Sequence, residues 1–150
     1  MTTNWVCKKF GELTAEELYA ILRLRSEVFV VEQNCVFLDM DNKDQYCDHL
    51  AGWQGDKLVG YARIVPAGIS YSESSIGRVV SSPSTRKTGM GKKLMKESIE
   101  QIRNLFHTDT IRIGAQLYLQ KFYESFGFTR DGEIYLEDNI PHILMLKEPK

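Results

Sequence analysis

No apolar run in this 150-residue chain approaches the roughly 20 residues that span a bilayer, and its opening stretch, MTTNWVCKKF, lacks a charged segment leading into an apolar one. A membrane span and an export signal are therefore not expected, and a soluble, unprocessed, cytoplasmic protein is. Excess charge is lacking too: 19 Lys and Arg stand against 20 Asp and Glu. A surface that tracks phosphates needs clustered basic residues, and here they are dispersed, so nucleic acid is not an expected partner. Cysteine is scarce and odd in number, at Cys7, Cys35 and Cys47, with no CxxC pair. Free thiols follow. A zinc site from Cys35, Cys47 and His49 would still need a fourth ligand such as Asp48, so no metal is expected. Repeats and low-complexity segments are missing. With 43% hydrophobic residues the chain can bury one substantial core but hardly two, which makes residues 1–150 a single expected domain.

What is present reads as alternating strands and helices. Asn4 to Lys9 forms a short strand, and Thr14 with Glu17 makes a capping box for a helix from Ala15 to Gln33. Its second half, Val28 to Val31, is β-branched and aromatic, so a break or kink is expected before Asn34. Residues 35–48 are irregular and hold Asp39, Asp41, Asp44 and Asp48 against one lysine. Two readings stay open for them: a solvated acidic loop, or a funnel that attracts a cationic amine. His49 to Gln54 and Lys57 to Val65 are strands around the turn Gly55-Asp56. Ile111 to Ala115, Ile134 to Leu136 and His142 to Leu146 are further strands, and Leu117 to Phe126 is a helix.

The chain is organised around Ser75 to Phe106, which reads strand, glycine loop, amphipathic helix. Free N-H groups at a helix start attract anions, and glycines beside them let a phosphate approach the main chain. Walker A fails, because Lys92 and Lys93 follow Gly91. The dinucleotide fingerprint fails as well, because Leu94 stands where its third glycine belongs. The remaining pattern, Arg86-Lys87-Thr88-Gly89-Met90-Gly91, resembles the pyrophosphate loop of the GNAT acetyltransferases. Downstream, Gln116 to Phe128 resembles the second GNAT motif, with Tyr123 four residues before Gly127-Phe128. Arg25 to Gln33 with Cys35, and Glu137 to His142, resemble the ElaA-like group of that superfamily.

The resemblance implies an α/β (α+β) fold, a central mixed, mostly antiparallel six- to seven-stranded sheet flanked by helices. It implies acetyl-CoA as cosubstrate and an amine acceptor, small molecule or peptide. It implies that the strand before the loop splays from the next one, that the backbone of Val79, Val80 and Ser81 pairs with the pantetheine arm, and that Val80 N-H polarises the thioester carbonyl. Arg86, Lys87, Thr88, Gly89, Met90 and Gly91 would hold the pyrophosphate, with Lys87, Lys92 and Lys93 adding diffuse attraction to the 3'-phosphate. Gln116 would bond the pantetheine, and Tyr123 would donate a proton to the leaving thiolate. The amine must lose a proton first, and the candidates for its base are Glu32, His49 and His142, with Arg25 orienting Glu32. His107 favours the end of its helix by charge. Trp53, Phe37 and the C-terminal strand are the residues expected to offer a homodimer face. The competing reading is a non-catalytic CoA-binding module.

Overall fold

A computed structural model describes residues 2–149. Thr14 accepts from the Glu17 backbone while the Glu17 carboxylate accepts from the Thr14 N-H, and this box starts α1 at Ala15–Arg25. The helix does not break at the β-branched run but widens. Ser26–Glu32 is π-helical, with Gln33 N-H donating to the Val28 carbonyl and Cys35 N-H to that of Val30. Poor helix formers in sequence weaken the tighter α turn, and the wider turn ends at Asn34, φ +49°.

The strands β1 (Asn4–Lys9), β2 (Asp48–Gln54), β3 (Lys57–Val65) and β4 (Ser75–Ser81) form an antiparallel sheet in that order. Side chains alternate between its faces. Leu50, Ala62, Ile64 and Ile76 pack under α2 (Met90–Phe106), which buries Leu94, Met95 and Ile102. Ala51, Tyr61 and Val80 face the other way, against Ile21, Leu24 and Val28. The two long helical segments thus cover opposite faces of one sheet.

A second sheet joins β5 (Ile111–Gln116), β8 (Ile140–Lys147) and β6 (Thr129–Arg130), with β7 (Tyr135–Glu137) also on β8. The two-residue β6 raises the strand count to eight; it is too short to show alternation in sequence. The helix expected over Leu117 to Phe126 is a 3-10 turn, Leu117–Leu119, followed by α3, Gln120–Glu124. The sheets meet at one parallel bridge, Ser74 to Ile111, where Arg112 N-H donates to the Ser74 carbonyl at 3.0 Å. Beyond it β4 and β5 share no ladder among the described residues. No described helix is long and apolar enough to cross a membrane.

Two features bear on the expected dimer face. Trp53 is half-buried against the α1 cluster, and β8 is paired along both edges, so that strand has no free edge. Phe37 is half-buried and lines the cleft described next.

Candidate active site

Where β4 and β5 part they leave a cleft of about 900 Å³, bordered also by β8, the π-helical segment and the loop after it. The β4 side is irregular. Tyr61 pairs with Val80 but Arg63 with Gly77, so Ala62 stands opposite both Arg78 and Val79. Such a bulge takes backbone groups out of the ladder and re-aims side chains. Val79, Val80 and Ser81 border the cleft at this bulge. Arg78 adopts φ +50°, which costs a non-glycine residue roughly 1–2 kcal/mol. Charge holds it there: Arg78 Nε donates to the Asp39 carboxylate and Nη2 to the Asp39 carbonyl, both at 2.8 Å.

Tyr123, on α3, reaches the cleft with only 7% of its surface exposed. Burial pushes its phenol up to about 12. Its hydroxyl has no hydrogen-bond partner among the described residues. Gln116 closes β5, its Nε2 3.5 Å from Gln33 Oε1, and His142 stands opposite it in the β5–β8 ladder. A carbonyl can only accept, so His142 Nδ1 donates to the Ile140 carbonyl at 2.7 Å. In the neutral ring that tautomer leaves Nε2 as the basic nitrogen. Nε2 lies 3.5 Å from the Glu137 carboxylate.

The glycine loop meets the cleft only through Arg86. Its guanidinium makes a two-pronged pair with Glu32 of the π-helical segment, with Nη1 to Oε2 at 2.7 Å. That pair holds the Glu32 carboxyl below its ordinary range. Lys87 (φ +66°) and Gly89 (φ +83°) turn the chain, and Gly89 is the N-cap of α2. A Cβ on Gly89 would meet nothing within 4 Å, so its backbone angle is what demands glycine. At Gly91 the absent methyl faces the Phe122 ring at 3.7 Å, toward the interior and not toward a ligand. Met90 buries its side chain in the core and presents only backbone; Lys87, Thr88 and Lys92 are exposed.

The acidic stretch is neither a solvated loop nor a free funnel. Asp39, Asp41 and Asp44 alternate with Arg25, Arg63 and Arg78 in a closed ring of ion pairs. Arg25 binds Asp39 at 2.8 Å and Asp44 at 2.9 Å; Arg63 binds Asp44 at 2.9 Å and takes both oxygens of Asp41 at 2.8 Å; Arg78 reaches Asp41 at 3.5 Å and closes on Asp39. Arg25 is fully buried, and Asp39 and Asp44 are 6% exposed. Despite desolvation, the two arginines beside it hold the Asp44 carboxyl below its usual range. Arg25 therefore serves this ring and does not orient Glu32.

His49 lies outside the cleft. It is 1% exposed, its Nε2-H donating to the Asp44 carbonyl at 2.9 Å and its Nδ1 accepting from the Tyr61 hydroxyl at 2.7 Å. Burial lowers its pKa. With both nitrogens taken, it cannot receive a substrate proton. Sequence reasoning missed the ring, although an arginine inside the apolar strand LVGYARIV signals a buried carboxylate partner. It also missed Tyr71 and Tyr135, whose hydroxyls sit 2.9 and 2.8 Å from where a Cβ on Gly114 would stand.

The pattern of the acetyltransferase (GNAT) domain family matches residues 14–149. The chain is 42% identical over 147 residues to protein ElaA of Escherichia coli, covering 97% of this chain and 96% of that protein. The crystal structure of Escherichia coli ElaA superposes with a TM-score of 0.91, over 98% of this chain and 100% of that one. That of an acyl-CoA N-acyltransferase from Pseudomonas aeruginosa gives 0.93 at 39% identity, over 97% and 99%. An aminoglycoside 6'-N-acetyltransferase complexed with coenzyme A shares the fold, at 18% identity, a TM-score of 0.67 and coverage of 95% and 96%.

Proposed function

Because the chain belongs to the GNAT acetyltransferase family, we propose that it moves an acetyl group from acetyl-CoA to a primary amine by direct attack within a ternary complex. The observation that carries this reading is the meeting of three groups at one cleft: the bulged edge of β4, the unpartnered Tyr123 hydroxyl, and His142 with its basic nitrogen. Each has a chemical task. Val80 pairs with Tyr61 in the β3–β4 ladder, so the fixed backbone donor that stabilises the oxyanion on the thioester carbonyl is supplied by its neighbours on the bulged edge, an effect worth several kcal/mol when water is excluded. His142 takes the proton from the incoming ammonium, and Glu137 stabilises the imidazolium so formed. Tyr123 donates to the departing sulfur. A thiolate, whose parent thiol ordinarily titrates near about 8.5, is a weaker base than a tyrosinate raised to about 12. The phenol therefore stabilises sulfur by a hydrogen bond and keeps its own proton.

Arg86, with the backbone of Gly89 to Lys92 at the start of α2, holds the pyrophosphate in this reading, and Gln116 holds the pantetheine. Glu32 must then yield Arg86 to the phosphates. Even released from Arg86, an exposed carboxylate is far too weak a base to take a proton from an ammonium readily, which leaves His142 as the residue of choice.

Release of CoA thiol from acetyl-CoA across a panel of amines tests the proposal. Tyr123→Phe should lower kcat by roughly a hundredfold or more in a folded protein. His142→Gln should lower kcat/KM by roughly a hundredfold or more, whereas His49→Gln should leave it near the native value. Tight acetyl-CoA binding with no thiol released by any amine would favour the non-catalytic binding module.

A further inference from the structure

The cleft has an uneven distribution of charge. The ring beside it contains three arginines and three aspartates and is neutral as a whole. Its members Arg63, Arg78 and Asp41 line the cleft, yet they leave no net charge on that wall. Arg86, the other arginine there, is matched by Glu32. Lys43 is different. It is half-buried, lines the same cleft, and has no carboxylate partner among the described residues; its Nζ makes one long contact, 3.5 Å, to Ser70 Oγ. Its backbone N-H is tied to Asp41, which fixes where the side chain begins. The turn between β7 and β8 also borders this cleft and presents Glu137 and Asp138, next to His142.

The cleft therefore has one uncompensated cation, at Lys43, and uncompensated carboxylates beside His142. A simple amine would satisfy only the carboxylates. Resting on the transferase reading above, we propose that the acceptor is a zwitterion: an amine that also carries a carboxylate, with its ammonium delivered to His142 and its carboxylate held by Lys43 and the Ser70 hydroxyl. A single ammonium balances a monoanion, and a half-buried lysine makes a charge-assisted bond to it that solvent screens poorly. Polyamines and uncharged aminoalkyl compounds would leave Lys43 without an anion.

The test compares matched acceptors by thiol release: glycine, β-alanine and 4-aminobutyrate, each against its amide, with 2-aminoethylphosphonate as the dianionic alternative. The expected result is a kcat/KM about tenfold or more higher for at least one acid than for its amide, carried by KM. Lys43→Met should collapse that ratio toward one, and Lys43→Arg should keep it. Equal turnover of acids and amides overturns the proposal while leaving the transferase standing. Preference for the phosphonate overturns the carboxylate assignment. If no acceptor releases thiol, the transferase reading fails, and binding decides this one: calorimetry of N-acetyl-β-alanine against its amide on the CoA-saturated protein. Tighter binding of the acid, lost in Lys43→Met, supports the Lys43 site; equal or undetectable binding overturns it.

Discussion

His49 and His142 are both strand residues and both largely hidden, yet their surroundings give them opposite tasks. His49 has donated one nitrogen to a backbone carbonyl and accepts a tyrosine proton at the other, in a site where burial disfavours its charged form. Its folded pKa lies below the unfolded value of about 6.5. The linked stability is therefore fully present above that value and is lost as pH falls through the folded one, because only the unfolded chain takes up the proton. Between pH 7.5 and 5.5, urea denaturation of the native protein should show stability falling by up to about 1.4 kcal/mol per pH unit on account of this one ring. In His49→Gln that dependence should flatten; an unchanged slope would mean that another group titrates. None of this difference was legible in the sequence, where each histidine simply enters a strand. It is set by what lies across space from each ring.

Among the elements, the glycine loop and its helix were the most legible, since strand, loop and helix fall where the local pattern puts them. What local pattern could not supply was the role of each glycine. Gly89→Ala forces a side chain into φ +83°, so it should destabilise the protein by about 1–2 kcal/mol and weaken acetyl-CoA binding. Gly91→Ala meets Phe122 only at ordinary contact distance and gains helix propensity. Its melting temperature should hold or rise, and a fall of several degrees would refute this account. The π-helical segment was half legible: the β-branched run announced trouble for an α-helix but not that the chain would widen and continue. Its Glu32 reaches across to Arg86, an exposed pair that solvent screens and that adds little stability. Glu32→Gln should accordingly tighten acetyl-CoA binding by a few-fold at low salt, with the gain shrinking at high salt; weaker binding would show that Glu32 assists the cofactor instead of competing for Arg86.

At the scale of the whole molecule, the ring of six charges ties α1, the acidic loop, β3 and the bulge of β4 into one unit. It could not be read from the sequence because its members lie as far apart as Arg25 and Arg78, and a carboxylate reveals its partner only in three dimensions. Removing one member of a buried pair costs about 3–5 kcal/mol, so Asp44→Asn should lose a large share of the stability of a domain this size. Urea denaturation would measure it. Asp41 and Asp44 have folded pKa values depressed below the unfolded value of about 3.9. Their contribution is complete above that value and disappears as pH falls through the folded ones, which predicts a steep acid transition below about pH 4. The ring also bears on how such a chain can change over generations. An alternating cycle has no neutral single deletion: removing any one charge leaves the buried ring with one opposite charge unbalanced, so viable losses must come as joint replacements of an arginine with an aspartate. Drift at these six positions should be slow and correlated, while the exposed residues around them vary one at a time.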